Sequence, residues 1–171
     1  DRAVAVLKEG VAREERLHAG AEREMQLSNL GLAFERKGHL DSAAHYYTAA
    51  LADARAHGNY EVEVRCLYGL GDVRRMQGHL AEAQPLLDSS LRIAERIGSL
   101  EDMKEAHASL ATLHERKNEH AQALTHYRTY HTLSDSLMNA GVSSAMSELR
   151  LRYDTERKDR ENAELRAQQD L

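Results

Sequence analysis

Two stretches of the chain open with the same phrase: GHLDSAAHYYTAAL at residues 38–51 and GHLAEAQPLLDSSL at residues 78–91. They lie forty residues apart. Self-similarity at a fixed period of this size marks stacked supersecondary units, none of which buries its apolar face alone. The period extends in both directions. Ala3, Ala43, Ala83 and Ala123 are spaced by forty, as are Leu7, Tyr47, Leu87 and Tyr127. Leu30, Leu70 and Leu110 precede Gly31, Gly71 and Ala111. Gly38, Gly78 and Asn118 mark one turn per period, and Gly58 and Gly98 mark a second. Gly and Asn are the residues that accept the left-handed backbone of such turns.

Each unit therefore reads as a helical hairpin. First helices are predicted near 22–37, 62–77 and 102–117, and second helices near 40–57, 80–97 and 120–138. Residues 2–18 read as the second helix of a truncated unit. Pro85 is placed in the first turn or so of its helix, where a missing N–H costs little. Composition agrees with an all-α fold. Among 171 residues there are 10 Gly, one Pro and only 5% aromatics, too little turn chemistry for many short strands. Leu30, Leu70, Leu110, Tyr47, Leu87 and Tyr127 are expected to stack the solenoid.

The spacing of small and large residues resembles the tetratricopeptide repeat. The likeness is carried by LGLAFERKGHLDSAAHYYTAAL (30–51) and LGDVRRMQGHLAEAQPLLDSSL (70–91), with LATLHERKNEHAQALTHYRTY (110–130) as a weaker copy. That pattern wants Leu-Gly, a bulky residue, Gly, Ala, an aromatic and Ala. The first copy supplies Leu30, Gly31, Phe34, Gly38, Ala43, Tyr47 and Ala50. The second departs at the bulky slot, which holds Arg74, and the third replaces both glycines by Ala111 and Asn118. The resemblance implies a right-handed superhelix of hairpins. Residues 1–138 would form it, with a partial unit at 1–20 and units near 21–60, 61–100 and 101–138; residues 139–171 would be a connecting helix.

Catalytic chemistry finds no foothold in the sequence. The motifs GxSxG, GxGxxG, GxxxxGK[ST] and HExxH are absent, and no two His stand at i,i+4 on one helix. His107 and His114 occupy core-type slots, while His120, His126 and His131 are scattered, so no metal is expected. The lone Cys66 excludes an internal disulfide, and its place beside Leu67 and Leu70 suits a buried thiol. Net charge is −5, with acids and bases interspersed, and no basic face for nucleic acid stands out. Neither an enzyme activity nor a cofactor is expected of this chain.

What remains is a surface. In the resembling repeats, the first helices line a concave face. Aligned on Gly31 and Gly71, that face would carry Met25, Ser28, Leu32, Glu35 and Arg36, then Arg65, Tyr68, Asp72, Arg75 and Met76, then Glu105, Ala108, Thr112, Glu115 and Arg116. The expected binding face for a protein or peptide is Arg36, Arg65, Tyr68, Asp72, Arg75, Met76, Thr112 and Arg116. A merely solvated face is the alternative reading. Co-chaperone repeats clamp a terminal carboxylate with Lys and Asn at two of these slots; Ser28 and Leu32 stand there here, and that clamp is not expected.

The pattern changes after Tyr130. Val142, Met146, Leu149 and Tyr153 step by 4, 3 and 4, a short heptad seam that then turns polar. The stripe is expected to contribute both to capping the last hairpin and to a homodimer contact. The region RYDTERKDRENAEL, at residues 152–165, is densely charged. Together with DSL at 135–137 it resembles the junction in bacterial repeat-containing signalling proteins. There a membrane helix and an output domain follow, often a diguanylate cyclase or histidine kinase, sometimes a DNA-binding domain. The resemblance implies a sensory region on the periplasmic side of an inner membrane, in a protein anchored by another segment. A cytoplasmic location and a free-standing adaptor are the alternatives. The chain starts at Asp1 without Met and stops in a helical run, as expected for a piece of a longer protein. It has no run of about 18 apolar residues, so no membrane contact is expected of the chain itself.

Overall fold

The computed structural model describes residues 20–169. The expected truncated unit at 1–20 falls almost wholly outside them. The described residues form six helices: α1 (Gly20–Arg36), α2 (Leu40–His57), α3 (Tyr60–Met76), α4 (Leu80–Ile97), α5 (Leu100–Arg116) and α6 (His120–Gln169). No strand occurs among them. Both helices of each hairpin fall within two residues of their predicted bounds, save that α6 does not stop at residue 138. Nothing in its sequence stops it: Gly141 has no positive φ, no Pro follows, and long straight-chain residues favour the helix.

The five turns share one chemistry. Gly38, Gly78 and Asn118 take φ of 75, 87 and 61°, and Gly58 and Gly98 take 68 and 73°. In each turn the following amide reaches back to the carbonyl five residues earlier: His39 to Phe34 and His79 to Arg74 at 2.9 Å, Glu119 to His114 and Asn59 to Ala54 at 2.8 Å, and Ser99 to Ala94 at 3.0 Å. These bonds satisfy helix-end carbonyls that would otherwise be unpaired. The next helix then begins on a cap in two cases. Asn59 Oδ1 accepts from the Val62 amide at 3.2 Å, and Ser99 Oγ accepts from the Asp102 amide at 3.3 Å. Pro85 sits one turn deeper in α4 than expected, at its sixth residue, so it does remove an amide that would have bonded within the helix.

The chain divides into two compact units, the first ending at Leu133 and the second beginning at Ser134. In the first unit α1 to α5 pack each on the next, His107 and His114 of α5 meet His126 of α6, and the first helices also touch one another, α1 on α3 and α3 on α5. This makes α1, α3 and α5 one continuous layer. Leu30, Leu87 and Leu110 are fully buried, Tyr47 is 2% exposed and Leu70 7%. Each such burial contributes about 1.5–3 kcal/mol. Ala43 and Ala83 are fully buried where helices cross.

Tyr127 departs from expectation: it is 55% exposed instead of stacked in the core. The reason is local. Tyr47 lies against Gly31 and Gly69 so closely that a Cβ on either would stand 2.6 or 2.4 Å from the ring. At the corresponding slots Tyr127 meets Ala111 instead of glycine and, among the described residues, no helix follows to supply a counterpart to Gly69.

In the second unit, α6 leaves Val142 55% exposed and both Met146 and Leu149 69% exposed. The side chain of Tyr153 lies outside the described ones. Arg152 bonds Glu148 at 2.6 Å, an exposed i,i+4 pair of small energetic weight.

Candidate functional site

The layer of α1, α3 and α5 brings the expected binding residues into a register ladder. Arg36, Met76 and Arg116 occupy equivalent positions on successive helices, and all three are exposed. Glu35, Arg75 and Glu115 occupy the neighbouring position, alternating in sign. Arg65 is also exposed, while Tyr68, Arg75 and Thr112 are half-buried. Met25 is 45% exposed at the far end, whereas Ser28 is fully buried and faces inward.

Asp72 is 8% exposed and committed to the fold. Its Oδ1 accepts from Arg75 Nε at 2.8 Å and from Ser109 Oγ at 2.9 Å, tying α3 to α5. Arg116 then donates to the carbonyl of Arg75, and the Thr112 hydroxyl donates to the Ala108 carbonyl at 3.0 Å. One hairpin earlier, the Tyr47 hydroxyl donates to Glu35 at 2.7 Å. Burial lifts the Glu35 carboxyl above its ordinary range, opposed by that hydrogen bond. Burial, then the Asp72 carboxylate, pushes Tyr68 up to about 12. The face thus divides in two. Asp72, Arg75 and Tyr68 form a fixed polar floor; Arg36, Arg65 and Met76 stand exposed around it, and Arg116, also exposed, is tied to the Arg75 carbonyl.

Ser109 was not legible as part of this floor. A small residue between Ala108 and Leu110 reads as a packing position, and only the Asp72 carboxylate opposite gives its hydroxyl a task. Cys66 is fully buried, and desolvation pushes its thiol up to about 11, which leaves little thiolate at neutral pH.

Three of the histidines come together between α5 and α6. His107 Nδ1 lies 2.9 Å from His126 Nδ1, the His114 and His126 rings stack at 5.3 Å, and His114 Nδ1 lies 2.6 Å from Glu119 Oε2. No cluster of three or more His, Cys, Asp or Glu residues among the described residues is arranged to hold a metal ion. His107 and His126 are both held below the ordinary imidazole value, first by burial and then by a neighbouring imidazole: His126 in the case of His107, His114 in the case of His126. The folded chain therefore binds these protons less tightly than the unfolded chain. Stability is full above the ordinary value of about 6.5 and falls as pH drops through it toward the lowered values. The melting temperature should fall between about pH 7 and 5, and His126→Gln should make that fall shallower. Equal slopes for the two chains would remove the pair from the pH response.

Helical hairpins stacked through their first helices, presenting a mixed cationic and apolar face, define a repeat scaffold of the protein-binding class. A family model described as tetratricopeptide repeat matches residues 23–96 and again 63–136, and the chain belongs to that family. Among solved structures, the TPR domain of Arabidopsis FLU is similar over 68% of this chain and 98% of its own, at 21% identity and a TM-score of 0.64, which shows the shared fold. MamA MSR-1 C2 aligns over 80% of this chain and 99% of its own, at 18% identity and a TM-score of 0.34. No curated protein matches the chain. Among the described residues no helix is long and apolar enough to cross a membrane.

Proposed function

We propose that this chain is a non-catalytic protein- or peptide-binding region of a bacterial signalling protein, held on the periplasmic side of an inner membrane by another segment. The first-helix face takes the ligand. The chain works as a homodimer, and α6 relays the occupied state toward an output domain such as a diguanylate cyclase or histidine kinase. The observation that carries the binding part is the ladder Arg36–Met76–Arg116, exposed in register around a fixed floor of Asp72, Arg75 and Tyr68. Cations and a polarisable thioether beside a half-buried tyrosine are what recognition of an acidic or apolar peptide segment uses.

The experiment follows from that division. Peptides selected on the wild-type chain from a displayed random library should lose about tenfold or more in affinity for the variant Arg36→Ala, Arg65→Ala, Met76→Ala. Its melting temperature should stay close to wild type, because all three side chains are exposed. Tyr68 and Arg75 are left in place because removing either would disturb the floor. Undiminished peptide affinity would move the binding site off this face. A free-standing adaptor is the alternative to the signalling assignment. Translating the coding region past Leu171 separates them: a membrane span with an output domain supports the first, a stop codon the second.

A further inference from the structure

Each hairpin of the first unit builds a groove, and in the first two the next first helix fills it. In the groove of α1 and α2, Leu70 and Val73 join the core cluster that holds Ala43 and Tyr47, and Gln77 Nε2 donates to Asp41 at 3.0 Å. In the groove of α3 and α4, Leu110 and Leu113 pack with Ala83 and Leu87, Lys117 Nζ donates to Gln84 at 2.8 Å, and Arg116 reaches the Arg75 carbonyl. The third groove, between α5 and the start of α6, is an open cleft of about 380 Å3 lined by Ala111, Thr112, Glu115, Ala123, Leu124 and Tyr127. Leu124 is 52% and Tyr127 55% exposed.

The two helices that fill grooves share a pattern. Counted from Leu70 and Leu110, a capping residue stands eleven before (Asn59, Ser99) and a small or apolar residue four before (Cys66, Ala106). Small residues flank the leucine (Gly69 and Gly71; Ser109 and Ala111), and a second apolar residue follows three after (Val73, Leu113). The pattern occurs a third time around Met146. Asp135 stands eleven before, Val142 four before, Ala145 and Ser147 flank it, and Leu149 follows three after. The step from Leu110 to Met146 is thirty-six residues, one helical turn short of the usual forty. Arg152 occupies the place of Arg116, and the groove offers Glu115 where the earlier one has Arg75, so the charges are complementary.

We infer that the segment from Asp135 to Arg152 is a displaced fourth first-helix, and that it fills the open groove between α5 and α6 of a second copy of this chain. In this structure α6 runs unbroken from His120 to Gln169, so the residues lining the groove and the segment that matches it belong to one helix; a second copy supplies the segment. Reciprocal exchange of the two segments about a two-fold axis closes the assembly and leaves neither groove open. Val142, Met146 and Leu149, exposed in the single chain, become buried in the partner. The inference deepens the homodimer of the proposed function and depends only on the hairpin register, not on the peptide face.

The test uses two single variants at exposed sites, Tyr127→Glu in the groove and Met146→Glu in the segment, followed by sedimentation velocity. Wild type should dimerise. Each variant should raise the dimer dissociation constant about tenfold or more, because a carboxylate would be buried without a partner. An equimolar mixture should dimerise again, since one intact segment meets one intact groove. A Tyr127→Glu chain that dimerises as tightly as wild type would overturn the inference in favour of segment-to-segment pairing. A wild type monomeric at every concentration would overturn it as well. In that case a lower melting temperature for both variants would mean that α6 breaks and the segment fills its own groove, and unchanged melting would mean that the groove is reserved for another protein. The groove shares only Thr112 and Glu115 with the first-helix face, and neither variant touches Arg36, Arg65 or Met76, so peptide affinity should be unchanged by them and the two readings fail separately.

Discussion

Gly69→Ala should lower the stability of the first unit by about 1–3 kcal/mol, against the gain normally expected for replacing glycine inside a helix. On propensity alone the substitution would add up to about 1 kcal/mol. Packing decides otherwise. A Cβ at Gly69 would stand 2.4 Å from Tyr47 Cζ, and the ring cannot retreat, because on its other side a Cβ at Gly31 would already be 2.6 Å away. Tyr47 is 2% exposed and anchored by its hydroxyl to Glu35 at 2.7 Å, so sliding outward would break that bond. The chain contains the compensated version of this contact one unit on, where Leu87 takes the place of Tyr47 and Ser109 that of Gly69. Tyr47→Leu combined with Gly69→Ala should therefore cost less than the sum of the two changes. Denaturant unfolding of the four chains measures that coupling. A Gly69→Ala chain as stable as wild type would mean that the ring is not held between the two helices.

The fold was legible because it repeats. Turn glycines at 38, 58, 78 and 98 need φ between 68 and 87°, a demand that acts on one residue at a time and so is visible in a sequence. Buried leucines and alanines recur every forty residues because each hairpin meets the next in the same way. The failures fall where the repetition stops. Tyr127 looks like Tyr47 in sequence, yet its fate depends on what stands across from it, and that is Ala111 instead of glycine. The end of the repeats near residue 138 was legible, but the unbroken run of α6 past it was not, since the helix continues on ordinary propensity after the packing that shaped the earlier ones has ended.

The candidate face was legible in outline only. Its exposed members, Arg36, Arg65, Met76 and Arg116, follow from helical spacing once Gly31 and Gly71 set the register. Which polar residues are spent on the fold does not follow. Asp72 and Arg75 looked like ligand-binding residues, but the Ser109 hydroxyl draws the aspartate inward, and Arg75 follows its carboxylate. The same holds for His107 and His126. They lie nineteen positions apart on different helices and meet only because Asn118 turns the chain back.

The residue the sequence concealed most fully is Glu24, and its removal should be the costliest single change outside the apolar core. Its side chain is fully buried on α1. Oε1 accepts from Asn59 Nδ2, and Oε2 lies 3.1 Å from His57 Nδ1, so one carboxylate holds both flanks of the turn between α2 and α3. Asn59 in turn caps α3 through the Val62 amide at 3.2 Å. Forty residues on, the equivalent positions are Val64 and Ile97, an apolar pairing, so the repeat gives no hint that a charge belongs here. Glu24→Ala would remove both hydrogen bonds, leave the half-buried Asn59 amide without its acceptor and open a void where a fully buried side chain stood, at a cost of about 3 kcal/mol. Glu24→Gln keeps one acceptor oxygen for Asn59 and should lose roughly half as much. Asn59→Ala on its own costs the cap, about 1 kcal/mol, and leaves the buried Glu24 Oε1 without its donor as well. Combined with Glu24→Ala it should therefore add only the cap, about 1 kcal/mol, because no carboxylate is left to lose its donor. Unfolding in denaturant at neutral pH checks the series. If Glu24→Ala stayed within about 0.5 kcal/mol of wild type, the turn would be held by its glycine and backbone bonds alone. Hydrogen exchange at the Val62 amide would then be unchanged; a Glu24 that fixes the turn instead makes that amide exchange faster in the variant, in step with the loss of stability.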